Sequence, residues 1–137
     1  MFGVNLIGII ADDLTGANDT ALQFYTHGCN TQIVLNCEDS LNEINIKNAQ
    51  ACAISTETRN LDPNSAYQRT KTACQKLYEN FNVEYLYKKI DSTLRGNIAV
   101  EIKAILDIIN HDAAIVVPAF PKENRCTIGG YHLLKGV

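Results

Sequence analysis

Residues 4–28 read VNLIGIIADDLTGANDTALQFYTHG, and this stretch decides the fold. Val4 to Ala11 is a continuous apolar run around Gly8, closed by Asp12-Asp13. Such a run reads as a strand buried on both faces. Gly16 to His27 then sets Ala17, Ala21, Leu22, Phe24 and Tyr25 on one stripe at helical spacing, with Thr15 as the expected N-cap and Gly28 as the C′ residue. A buried strand feeding a helix is the first half of a parallel crossover.

The same alternation continues along the chain. Thr31 to Asn36 reads as a second strand, Cys37 to Asn48 as a loop with at most a helical turn, and Ala49 to Ser55 as a third strand. Asp62-Pro63 opens a helix to about Asn80, with Pro63 at the tolerated first-turn position and Ala66, Thr70, Ala73, Leu77 and Phe81 along one side. Val83 to Tyr87 is the fourth expected strand. Leu94 to Asn110 is expected to be helical, burying Ile98, Ile102, Ile105, Leu106 and Ile109, and Ala113 to Val117 is a fifth strand stopped by Pro118. Gly129 to Val137 reads as a last strand leaving for a following domain. Parallel crossovers are long and almost always helical, so the expectation is an α/β fold, three-layer and doubly wound, with a mostly parallel sheet of five or six strands.

With 137 residues, 46% hydrophobic and 20% charged, the chain is globular in composition, large enough to bury roughly 68% of its unfolded surface in one core. A single domain over 1–137 is expected. Twelve Lys+Arg against 15 Asp+Glu give a net charge of −3 without a basic run, which leaves nothing to neutralise a nucleic acid backbone. The apolar runs are too short to span a bilayer and the N-terminus lacks a signal pattern, so a soluble, cytoplasmic protein is expected. Five cysteines form no CxxC pair, and most read as ordinary buried thiols. His27, His111 and His132 have no partner at metal-ligand spacing; they read as surface or core residues, and no metal site is expected.

In open α/β sheets ligands bind beyond the carboxyl ends of the strands, where strand order reverses. Four of those ends carry charged or hydroxyl clusters: Asp12 to Gly16; Ser55-Thr56-Glu57-Thr58-Arg59; Lys88-Lys89-Ile90-Asp91-Ser92-Thr93-Leu94-Arg95-Gly96-Asn97; and Pro118-Ala119-Phe120-Pro121 with Arg125 just beyond. The opposite ends, at Asn30, Asn48, Asn82 and Asp112, look like ordinary turns. A lone Asp before a helix would simply cap it. Of two adjacent carboxylates only one can cap, and the other must be solvated, paired, or used on a ligand hydroxyl or metal. Asp91-Ser92-Thr93 is either a capping sequence or, with Arg95, Gly96 and Asn97 at the positive end of the next helix, an anion site. Glu57 and Arg59 either pair with each other on the surface or join the rim. A carboxylate pair facing a guanidinium-rich helix end suits a small, polyhydroxylated anion such as a sugar acid. The chain has no GxGxxG, no phosphate loop and no nucleophile elbow, which disfavours a dinucleotide enzyme or a hydrolase.

These same clusters, in this order over nearly the whole chain, resemble the N-terminal, sugar-binding domain of the four-carbon acid sugar kinase family, with Ala99 and Asn124-Arg125-Cys126 as departures from its usual pattern. The resemblance implies the substrate-binding domain of an ATP-dependent kinase acting on threonate, erythronate or 3-oxo-tetronate. It implies that Arg95, with Ser92 and Asn97 beside Gly96, holds the substrate carboxylate. Asp12 and Asp13 would take its hydroxyls, one orienting or deprotonating the attacking hydroxyl, since phosphoryl transfer rests mainly on positioning and charge stabilisation. Lys89 and Asp91 would line the same pocket, with Arg59 and Arg125 as further candidates. ATP and Mg belong to the family's second, C-terminal domain, so this chain is expected to be a truncated piece that binds neither and is no competent kinase by itself. The alternative is a stand-alone sugar-acid binding module without catalysis.

Overall fold

A computed structural model describes residues 6–35 and 48–135. Four strands, β1 (Leu6–Ala11), β2 (Thr31–Val34), β3 (Ala51–Ser55) and β4 (Val83–Lys89), form a parallel sheet in the order β2-β3-β1-β4. Helix α1 (Leu14–Thr26) covers one face, and α2 (Pro63–Asn80) with α3 (Ile98–Leu106) covers the other. The class is the expected one: three layers, doubly wound, with strand order reversing around β1.

Strand periodicity separates the two halves of the core, because alternate side chains leave a strand on opposite faces. Leu6 and Ile10 of β1 join Cys52 and Ile54 of β3 under Ala73, Cys74 and Leu77 of α2. Ile9 and Ala11 join Ala51 and Ala53 under Ala17 and Ala21 of α1. Gly8 is glycine because α2 comes close: a Cβ there would lie 3.1 Å from Leu86 and 3.3 Å from Leu77. Burial pushes the Cys52 thiol up to about 12 and the Cys74 thiol to about 11, so both stay protonated packing groups. Cys37 and the loop expected over Cys37 to Asn48 lie, up to residue 47, outside the described residues.

Several expectations need correction. Asp13, not Thr15, caps α1, and Leu22 and Tyr25 of its expected apolar stripe are exposed. Residues 113–117 carry no regular secondary structure and join no described sheet: Ile115 is 93% exposed, and a cavity of about 480 Å³ lies between the segment and β4. A β-branched apolar run states a preference for burial in a sheet, and pairing also requires a strand edge within hydrogen-bond reach. Among the described residues the parallel sheet therefore has four strands, with β4 as its half-exposed edge. Helix α3 is also shorter than expected. Leu94 at φ +60° and Gly96 at φ +90° hold 91–97 as a turn, and of the expected apolar face only Ile105 is fully buried, beside Glu101 and Ala104. Finally, Gly129-Gly130 is the two-residue turn of an antiparallel hairpin, β5 (Arg125–Ile128) and β6 (Tyr131–Leu134), rather than part of a departing strand. Their φ of +57° and +85° suit the primed turn that matches strand twist.

Candidate functional site

The carboxyl ends of β1, β3 and β4 meet because β1 pairs with both neighbours, Ala11 opposite Ser55 on one side and Lys89 on the other. The two adjacent carboxylates after β1 divide their work. Asp13 caps α1, its Oδ1 accepting from the Gly16 N–H at 2.7 Å, while Asp12 is buried at 2% exposure and paired. Its partner is Arg59. Arg59 Nε donates to Asp12 Oδ2 at 2.8 Å and Nη2 to Asp12 Oδ1 at 3.1 Å, a two-pronged clamp, and Nη1 donates to Asp13 Oδ2 at 2.5 Å. The same guanidinium lies 3.8 Å from Asp91 Oδ1. Hydrogen bonding to Asp12 raises the Arg59 pKa further above its ordinary value, so it is a fixed positive centre among three carboxylates. The surface pair between Glu57 and Arg59 does not form; Glu57 instead accepts from Ser55 Oγ at 2.5 Å.

Asp91 organises the second half of the rim. It accepts from the Thr93 N–H at 3.0 Å, from the Thr93 hydroxyl, from the Arg95 N–H at 3.3 Å, and from Arg95 Nε and Nη2 at 3.0 and 2.8 Å. Arg95 chiefly holds the Asp91 carboxyl well below the usual carboxylate range. Arg95 itself is largely exposed, and its bonds to Asp91 use Nε and Nη2, which leaves the two Nη1 protons unused by that carboxylate. Gly96 sets its bare Cα against the Arg59–Asp12 pair, where a Cβ would lie 3.3 Å from Arg59 Cγ and 3.4 Å from Asp12 Oδ2. With φ at +90° as well, that position suits glycine on two counts.

The other expected site residues are placed as follows. Lys89 Nζ donates to the Ile90 carbonyl at 2.7 Å and lies beside Gly16 at the start of α1. Asn97 spends its amide protons on the Thr58 and Leu61 carbonyls at 3.0 and 2.9 Å, bracing the loop that presents Arg59. Ser92 Oγ accepts from Arg125 Nη1, and the Ser92 carbonyl accepts from His132 Nε2 at 2.7 Å, so the β5–β6 hairpin is fastened to the 91–97 turn. Sequence reasoning missed His132, and it missed a buried network of Thr56, Thr58, Lys88 and Glu101 beneath the rim. One signal for that network was present: Glu101 interrupts the apolar stripe of Ile98, Ile102 and Ile105, where an unpaired charge would be costly. Among the described residues, no group of three or more His, Cys, Asp or Glu could hold a metal ion. No described helix is long and apolar enough to cross a membrane.

The ion pairs at Asp91 set an acid limit. Its pKa is lowered by folding, so its contribution to stability is complete above the unfolded carboxylate value near ~3.9 and is lost as pH falls below it toward the folded value. Asp91→Asn should therefore destabilise the protein most at neutral pH, and the gap between parent and variant in urea unfolding should close below about pH 4. A gap that stays constant down to pH 2 would contradict this assignment.

Fold and rim together define a doubly wound α/β domain with a charge-dense rim at its switch point. A family profile described as a sugar-binding N-terminal domain matches residues 7–137, and the chain belongs to that family, the N-terminal domain of the four-carbon acid sugar kinases. It is 40% identical over 131 residues to a D-erythronate kinase of Heliobacterium modesticaldum, covering 94% of this chain and 29% of the relative. A 3-oxo-tetronate kinase of Haemophilus influenzae is 34% identical over 129 residues, with 92% and 30% covered. Among solved structures, a Bordetella bronchiseptica protein described as a domain-swapped dimer with bound citrate superimposes with a TM-score of 0.87 at 39% identity, covering 95% of this chain and 32% of that one. The chain thus spans about 30% of the length of the curated relatives it matches.

Proposed function

We propose that this chain is the substrate domain of an ATP-dependent kinase of a four-carbon sugar acid of the threonate, erythronate or 3-oxo-tetronate type. The observation that carries the reading is the convergence of Asp12, Asp13 and Asp91 on Arg59, with Arg95 facing outward beside them, at the point where strand order reverses. A tetronate combines a carboxylate with hydroxyls. The free face of Arg95, with Lys89 and the Ser92 hydroxyl nearby, suits the carboxylate. Asp13, with more solvent access than Asp12, is the group to accept from substrate hydroxyls and to orient the attacking one, while Asp12 fixes Arg59. Arg125 acts on the same pocket through Ser92. The citrate bound by the similar Bordetella protein, a hydroxy acid too, supports this ligand class.

ATP and Mg are assigned to a nucleotide-binding part outside residues 1–137. The sole glycine pair in the sequence, Gly129-Gly130, is the turn of a hairpin and not a loop entering a helix, which supports placing the phosphates elsewhere. Two measurements on the 137-residue protein test the reading. Calorimetry with D-erythronate, D-threonate and related acids should give a binding isotherm, and coupled assays with the same acids and Mg·ATP should give only background ADP release. Absence of binding across the series would refute the ligand class. Substrate-dependent ADP release that disappears in Asp13→Asn would refute the location of the nucleotide site.

A further inference from the structure

We infer that Glu101, a buried residue of α3 outside the rim, is a positioning residue that through Thr58 sets Arg59 and, through Arg59, the Asp13 carboxylate that takes substrate hydroxyls. The inference deepens the reading above and rests on it for the identity of the ligand. Glu101 is 1% exposed, yet both of its oxygens are occupied. Oε1 accepts from the Thr58 hydroxyl at 2.5 Å, and Oε2 pairs with Lys88 Nζ at 2.8 Å. From there the network reaches all three strand ends. Thr58 Oγ1, whose proton goes to Glu101, lies 2.8 Å from Thr56 Oγ1; the single Thr56 hydroxyl proton is shared between Thr58 Oγ1 and the Ala11 carbonyl, also at 2.8 Å, and Lys88 Nζ donates to the Lys89 carbonyl at 2.8 Å.

The register of this network is informative. Ala11, Thr58 and Lys88 each stand one residue before a rim group: Asp12, Arg59 and Lys89. A contact one residue upstream fixes where the next side chain leaves the backbone, so Glu101 ties β1, β3 and β4 together at the base of the rim. Position 101 lies on the apolar stripe of α3, where a hydrophobic residue would pack without any desolvation cost. A charge kept there and fully paired acts by specifying one arrangement of polar groups. Arg59 is the group with most to lose from its absence, because its clamp on Asp12 and Asp13 needs a defined direction of approach.

The test compares Thr58→Val, Glu101→Ala and Glu101→Gln, reading affinity for D-erythronate by calorimetry, melting temperature, and the Arg59 Nε–Hε signal in the ligand-free protein by NMR. Thr58→Val and Glu101→Ala should weaken binding about tenfold, the size expected for losing one charge-assisted hydrogen bond. In both, the Arg59 signal should move toward that of a solvated arginine. Glu101→Gln retains an acceptor for Thr58, so it should stay within about threefold of the parent in affinity and keep the Arg59 signal, although its melting temperature falls because Lys88 loses its partner. A purely structural role would lower the melting temperature in all three without moving affinity or the Arg59 signal. Thr58→Val is nearly isosteric and keeps the test decisive if Glu101→Ala does not fold. A folded Thr58→Val with unchanged signal and affinity would overturn the inference. If the parent bound no tetronate, the proposed ligand class would fail, and the Arg59 signal would still decide the positioning role.

Discussion

Arg59→Ala should lower the unfolding free energy by about 3–5 kcal/mol, the cost of leaving a buried carboxylate without its partner. Asp12 is the reason: at 2% exposure it cannot recover in water the two hydrogen bonds it takes from the guanidinium. Asp13 and Asp91 lose a neighbouring charge in the same step. Urea unfolding at neutral pH measures the loss, and an unchanged slope would show that the native and unfolded states are otherwise the same. Arg59→Lys should recover only part of it, since a single ammonium cannot serve both oxygens of Asp12 and one of Asp13 together. Adding Asp12→Asn to Arg59→Ala should restore stability, because a neutral amide carries no uncompensated charge. If Arg59→Ala unfolded within about 1 kcal/mol of the parent, Arg59 would behave as an ordinary surface pair and would not be the hub of the rim.

Arg95→Ala should abolish measurable binding of four-carbon sugar acids while leaving the fold intact. The two expectations follow from one geometry. The side chain is largely exposed, so its loss costs the Asp91 ion pair and some stability at neutral pH but no core packing, and it removes the Nη1 protons that Asp91 does not use. Arg95→Lys should also bind far more weakly, because a point charge satisfies either Asp91 or a ligand carboxylate but cannot span both with planar geometry. Asp13→Asn should be milder, as an amide oxygen still accepts one hydrogen bond. Calorimetry of the three variants against the same acid checks the ranking. Arg95→Ala that bound the acid like the parent would remove Arg95 from the pocket.

Much of this architecture was legible in the chain. The run from Val4 to Ala11, the helix opened by Asp62-Pro63 and the crossover spacing were enough for a doubly wound sheet, because periodicity and capping are local properties. The order of the polar clusters was enough to place a rim at the carboxyl ends of the strands. The motif residues were also enough for the family, which the profile match over residues 7–137 shows.

The rest depended on neighbours that local rules do not contain. Ala113 to Val117 has a strand's composition, but it pairs with no described strand and lies largely exposed across a cavity from β4. Gly129-Gly130 carried a hairpin signal that became readable only with Arg125 to Ile128 as a strand to turn back upon. The rim shows the same division most sharply. Two aspartates ending β1, Arg95 and Gly96 ahead of α3, and charges of both signs at the strand ends are local facts of the chain. Folding chose the partners: Arg59 pairs with Asp12 and Asp13 instead of Glu57, and Glu101 is buried with Lys88 and Thr58. An ion pair's strength depends on distance and burial. Both are set by which strand ends the sheet brings together, for Arg59 and its two aspartates across 46 and 47 residues of chain.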